Sequence, residues 1–186
     1  MKDLRYTLIR SSRKTVAIQI RSGYITVRAP LKMQKSAIDD FVQKHEKWLI
    51  RHLEKNNKLN SELENVTVLS DSELKGLKNK AENYIPQRVE HYANRLNVNY
   101  GKISFRFQKT RWGSCSSSGN LNFNCLLMLA PTDVIDAIIA HELCHRKHMN
   151  HSKDFYEELL RICPNYEYCN TYLKEHGAAI MRKGGK

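Results

Sequence analysis

The chain has 186 residues, 41% of them hydrophobic, and carries 31 Lys and Arg against 19 Asp and Glu, a formal charge of +12. That is enough apolar sequence for one compact core with a small accessory piece. No apolar run reaches bilayer-spanning length, which excludes a transmembrane helix, and no membrane partner is expected.

A balance this basic favours anionic partners such as nucleic acid, nucleotides or acidic membranes, with a solvated basic surface as the plainer reading. The five cysteines, at 115, 125, 144, 163 and 169, form no CxxC pair, so a structural zinc ribbon is not expected. The opening Met1-Lys2-Asp3-Leu4-Arg5 runs into strand-like sequence rather than a secretory signal. The expectation is a reduced, cytoplasmic compartment with the thiols packed as small apolar groups.

Alternation organises the first thirty residues. Tyr6 and Leu8 fit one strand, Val16, Ile18 and Ile20 a second, Ile25 and Val27 a third. Ser11-Ser12-Arg13 and Ser22-Gly23 supply turns, which predicts an antiparallel meander closed by Pro30. A helix is expected from about Ser36, with Asp39 in the position of a capping-box acid. Ile38, Phe41, Val42, Trp48, Leu49 and Leu53 recur at helical spacing, and His45 lies on that stripe as a core histidine. Asn56-Asn57-Lys58-Leu59-Asn60-Ser61 reads as a linker. The expected division is therefore an N-terminal piece, 1–60, and a core domain, 61–186.

Val66 and Val68 suit a short strand or a turn. A long helix then runs from about Ser72 to Leu96, with Pro86 predicting a kink or break near Ile85. Ile103, Phe105 and Phe107 alternate as a strand. Residues 110–119 are turn-rich, and Leu121, Phe123 and Cys125 alternate as another strand. Pro131 and Thr132 open a helix, with Thr132 as N-cap. Met149-Asn150-His151 turns the chain, and Ser152 caps a helix that Pro164 ends. A short helix through Tyr172 and Leu173 precedes a frayed tail, 183–186.

The helix after Pro131 carries His141-Glu142-Leu143-Cys144-His145 within the apolar run Val134–Ile139. Positions i and i+4 share a helix face about 6 Å apart along the axis. This suits two imidazoles on one zinc, with Glu142 beside them to handle the proton of a water. Burying two imidazoles and a carboxylate without partners is costly, and a metal satisfies them. Other divalent transition ions also bind such sites.

A hydrolytic site needs a third protein ligand. His148 would sit about 10 Å along the axis from His141 on a straight helix, too far to converge. His151 lies past the turn and can fold back. Glu157 and Glu158 on the following helix are the alternatives. Cys144 falls about 100° round the helix from His145 and reads as packed. Cys115 reads as structural, since a thiolate ligand would fill the open position.

Thr110-Arg111-Trp112-Gly113-Ser114-Cys115, then Gly119, Asn124 and Pro131, then His141-Glu142-Leu143-Cys144-His145 and Asn150-His151-Ser152-Lys153-Asp154-Phe155, resemble the YgjP-like metal-dependent hydrolases, relatives of the WLM and SprT-like zinc metallopeptidases. The resemblance covers the whole chain in layout and is specific over about 103–166. It implies an α+β fold with a zincin-like core, a small sheet packed on helices. It also implies His141, His145 and His151 as zinc ligands and Glu142 as catalytic acid/base. In that plan the strand from Leu121 to Cys125 is the edge that aligns an extended substrate. Arg111, Trp112, Asn122 and Asn124 become candidate substrate contacts, with packing as the other role for Arg111 and Trp112.

The family's members include nucleoside triphosphate (UTP) pyrophosphatases and predicted peptidases. Three functions are thus in play. The first is a zinc metallopeptidase. The second is a metal-dependent nucleotide pyrophosphatase, with Arg111, Arg146, Lys147 and Lys153 near the motif to meet phosphates. The third is a nucleic-acid-binding protein with a structural metal, which the charge favours and which no helix-turn-helix, RNP or zinc-finger pattern supports.

Overall fold

The computed structural model describes residues 4–21 and 23–185. The chain divides into two units, Met1–Asn65 and Val66–Lys186. The fold is α+β. Among the described residues, no helix is long and apolar enough to cross a membrane.

The first unit holds β1 (Tyr6–Ser11), β2 (Ala17–Arg21), β3 (Tyr24–Pro30), α1 (Lys35–Lys44) and α2 (Glu46–Glu64). The sheet order is β1-β3-β2. β2 and β3 form an antiparallel hairpin, but β1 runs parallel to β3, so the expected meander is corrected to a mixed sheet. Alternation identifies faces but not neighbours. Residues 12–16 form a crossing segment rather than a tight hairpin turn, which lets β3 take the centre. Ser22, expected in the second turn, lies outside the described residues, as do Met1–Asp3 and Lys186.

Ile25, Val27 and Ala29 pack against Ile38, Val42 and Leu49 to make this unit's core. One helix was expected here and two are found, broken at His45, whose Nδ1 bonds the Phe41 carbonyl at 2.8 Å. Asp39 is not a capping acid: it meets Lys35 and the Tyr6 hydroxyl, tying α1 to β1. The expected linker, 56–61, is helical, because α2 continues through it to Glu64. Its Asn and Ser residues disfavour helix only weakly.

The second unit begins with a stretch at 66–70 that is neither helix nor strand. Helix α3 (Asp71–Leu96) starts at a full capping box, Ser70 with Glu73, and runs on through Pro86 without interruption. A mixed sheet follows, made of β4 (Ile103–Arg106), β5 (Gly113–Cys115) and β6 (Leu121–Asn124), in the order β4-β6-β5. A short 3-10 turn, Cys125–Leu129, leads to α4 (Thr132–Cys144), then α5 (Lys153–Ile162) and α6 (Tyr166–Lys183). The last helix is 18 residues long, where only a short one with a frayed tail was expected.

Leu121 and Phe123 on β6, Ile85 and Val89 on α3, Ile139 and Leu143 on α4, and Phe155 and Leu159 on α5 meet in one core. Each such side chain, fully buried, contributes about 1.5–3 kcal/mol. All five cysteines are free thiols, and those at 125, 144, 163 and 169 are buried. That agrees with their expected packing role.

Candidate metal centre

Helix α4 is the element that builds the site. It is rich in β-branched residues, which favour strands when exposed. Here the helix is buried nearly all round, with Val134, Ile135, Ile139, Ala140 and Leu143 in the core, so tertiary packing decides its conformation. Its N-cap is Pro131 rather than Thr132, and Asp133 in the first turn accepts from the Val134 N–H. On the other side of α4, Arg88 from α3 grips Asp136 bidentately, with Nε to Oδ1 at 2.9 Å.

The helix ends at Cys144, with His145 as its C-cap. The chain then turns through 146–151, and Ser152 caps α5 by accepting from the Phe155 N–H. That turn brings His151 back over α4. One ring nitrogen each from His141, His145 and His151 lies within 4.8 Å of the others. The Nε2 atoms of His141 and His151 are 3.1 Å apart.

The donor chemistry fits a metal. A tetrahedral ion at the usual zinc–nitrogen distance spaces its ligands by about 3.3 Å, close to the His141–His151 separation. The remaining ring nitrogens of two of the three are already engaged. His145 Nδ1 donates to the His148 carbonyl at 3.1 Å, which directs the Nε2 lone pair into the cluster. His141 Nδ1 lies 3.0 Å from the Tyr166 hydroxyl. Burial pushes the His141 pKa down to about 4, aided by the neighbouring His145 and His151, and burial lowers His145 as well. Both rings are therefore neutral at physiological pH, the form that binds metal.

Glu142 is 7% exposed. Burial pushes its carboxyl up to about 7, against the opposing pull of the Cys115 backbone N–H and the Arg111 charge. Gly113 on β5 leaves the room for it: a Cβ there would fall 2.7 Å from Glu142 Cγ. So the Arg-Trp-Gly-Ser-Cys stretch does reach the site, through a missing side chain and a backbone N–H.

The other expected contacts are distributed differently. The Trp112 ring packs against α6, where Gly177 admits it; a Cβ at Gly177 would be 3.0 Å from Trp112 Cζ2. It packs in the core rather than walling the site. Arg111 is exposed and near enough to Glu142 to act on its charge. Asn124 is corrected from substrate contact to scaffold: it is fully buried and its Nδ2 donates to the carbonyls of Gln108 and Arg111 at 2.8 and 3.0 Å. Asn122 bonds Ser104. It alternates with Leu121 and Phe123, so it lies on the sheet face away from α4.

The edge strand is corrected too. β6 is central and β5 is the free edge beside α4. The turn-rich look of 110–119 hid a three-residue strand. His148 contributes its carbonyl rather than its ring. Glu157 pairs with Lys153, and Glu158 is held by Lys147 and Arg161, so neither carboxylate joins the cluster.

Two participants were not singled out from sequence. The Phe155 ring touches all three imidazoles, at centroid distances of 5.0, 4.8 and 4.8 Å. Its signal was its place in Asn-His-Ser-x-x-Phe. Tyr166 lies 25 residues from His141, and no local pattern connects them.

A family model described as YgjP-like, metallopeptidase domain, matches residues 14–75 and 74–176. Two solved structures are similar over about half of the chain. The metallopeptidase zymogen of Pyrococcus abyssi abylysin is 19% identical, at TM-score 0.45, over 49% of this chain and 93% of its own. The metallopeptidase zymogen of Methanocaldococcus jannaschii jannalysin is 25% identical, at TM-score 0.41, over 49% and 95%. Comparison with curated proteins gives no match.

Proposed function

The chain belongs to the family of YgjP-like metallopeptidase domains, and on that footing we propose that it is a zinc peptidase held together by His141, His145 and His151, with Glu142 as its proton carrier. Membership of a metallopeptidase family implies a metal ion and hydrolytic chemistry. The observation that carries the finer reading is the convergence of three imidazole nitrogens within 4.8 Å beside a buried carboxylate.

When bound, zinc supplies Lewis acidity and lowers the pKa of water toward neutrality. The chain's own residues do the rest. Tyr166 and the His148 carbonyl hold His141 and His145 by their outer nitrogens, which fixes ring orientation before any ligand arrives. Glu142 takes a proton from the attacking water on its carboxylate and returns it to the departing amine nitrogen. Its buried setting favours the protonated form between those two events. The outer edge of β5, apart from the Cys115 N–H that meets Glu142, offers backbone groups to an extended polypeptide.

The pyrophosphatase reading needs free cations at the site. Arg146 is engaged with the Asn99 and Ser117 carbonyls, and Lys147 and Lys153 are paired with Glu158 and Glu157. The Lys153–Glu157 pair is solvent-exposed and leaves Lys153 as well as Arg111 open to an anion, so the preference for a peptide rests on the family.

The test is hydrolysis of an unfolded protein and of nucleoside triphosphates, side by side, with and without chelator. Proteolysis lost to chelator and restored by zinc is expected. Glu142→Gln should keep its zinc and turn over about 10²–10⁴-fold more slowly. Turnover of triphosphates without proteolysis would overturn the substrate assignment, and full activity of Glu142→Gln would overturn the proton carrier.

A further inference from the structure

The bases are spread along the chain, but the acids are not. Residues 1–38 contain nine Lys and Arg and a single acid, Asp3, out of the 19 acids in the sequence. Most of this stretch is the three-stranded sheet of the first unit. Side chains alternate across a strand, and the observed register assigns them to faces. Leu8, Val27 and Ile18 lie side by side on one face and pack in the core with residues of α1 and α2.

The opposite face carries Arg5, Thr7 and Ile9 along β1, Tyr24 and Arg28 on β3, and Gln19 on β2, all exposed. Tyr24 is 78% exposed on the central strand. Among the described residues, no ion pair engages Arg5 or Arg28. A cleft of about 550 Å³ at the end of the sheet, where β1 and β3 begin, is walled by Arg5, Thr7 and Tyr24 of this face and by Tyr6, Ile25 and Leu53 of the core side.

We propose that this open sheet face binds single-stranded nucleic acid, a function separate from the imidazole cluster and independent of how that cluster is read. The charge is complementary to a phosphate backbone. Both described cations on the face are arginines, whose planar guanidinium grips phosphate bidentately and stacks on bases. An exposed ring on a central strand is a stacking platform for an unpaired base. Thr7 and Gln19 add hydrogen-bonding groups between the cations. An acidic membrane would be met by protruding apolar side chains, and among the described residues the exposed large apolar side chains of this face are Ile9 and Tyr24, set among polar neighbours.

The experiment is fluorescence anisotropy of the full chain with short, labelled, mixed-sequence single-stranded RNA and DNA. Phosphatidylserine vesicles form a parallel arm. Saturable binding that weakens steeply between about 50 and 200 mM salt is expected. The pair Arg5→Glu with Arg28→Glu should lower affinity at least about tenfold. Tyr24→Ala should lower it about 5- to 100-fold. The same charge change on α3, Lys75→Glu with Lys80→Glu, should leave most of the binding intact. Far-UV circular dichroism checks each fold, and Arg28→Gln provides a milder variant with the same expected direction.

Absence of saturable binding at low salt would overturn the proposal. So would equal losses from the α3 pair, which would mean charge without a site. Preferential binding to vesicles, abolished by the same variants, would reassign the face to a membrane surface.

Discussion

Gly113 and Glu142 are in direct apposition. A Cβ on Gly113 would stand 2.7 Å from Glu142 Cγ and 2.8 Å from Oε1. The glycine is required by proximity rather than by backbone conformation, since its φ is not positive. Gly113→Ala should displace the carboxylate while leaving the three imidazoles untouched. Metal content should stay at the level of the parent protein. Peptidase turnover should fall about 100-fold, the usual cost of an ångström-scale misplacement. Retained turnover would show that Glu142 tolerates movement and weaken its assignment as proton carrier.

Tyr166→Phe removes only the hydroxyl that meets His141 Nδ1. Outer partners of metal-bound histidines are worth about 10–100-fold in metal affinity. Competition with a coloured chelator should show a loss of that size, with little change in melting temperature. Unchanged affinity would mean that the contact is incidental packing.

Asp136→Ala leaves the Arg88 guanidinium without its bidentate partner on the far side of α4. Hydrogen bonds to charged groups contribute about 1.5–3 kcal/mol. The pair is partly exposed, at 30% and 15% for the two side chains, so the lower end applies. Urea unfolding should show a loss of about 1.5 kcal/mol with an unchanged m-value.

Glu158 carries a pH signature. Hydrogen bonds from Arg161 and Lys147 hold its carboxyl down to about 2, below the ordinary value of about 4.3. Its contribution is present above that ordinary value and lost as pH falls toward 2. Between about pH 4.5 and 2.5, the chelator-treated protein should lose stability faster than chelator-treated Glu158→Gln. Parallel melting curves for the two would show that the ion pairs are solvent-screened and contribute nothing.

The sequence displayed the site in part because that part is local. His141, Glu142 and His145 share one helix face, and His151 follows within a turn bounded by Ser152. The Tyr166 contact depends on α6 packing against α4, which no short-range pattern encodes. The same limit applied to the sheets. Alternation at Leu8, Ile18 and Val27 identified buried faces, but strand order depends on how residues 12–16 cross, so the parallel β1–β3 pair was not visible. β5 was hidden because Gly113-Ser114-Cys115 has low strand propensity. It is a strand because it pairs with β6 and packs beside α4. Residues 56–61 show the reverse error, where polar composition suggested a linker inside a continuous helix.

The three imidazoles are not held alike. Two belong to the end of a buried helix, whereas His151 is exposed and stands on the short turn between α4 and the Ser152 cap. Loop turns open locally at lower free energy than core helices. An ion at this cluster would be held by His141 and His145 on the helix and by His151 on the turn, so local opening of the turn would be what exposes it to a competing chelator. Residence time would follow the opening rate of six residues, and a chelator's extraction rate would level off once opening becomes the slow step.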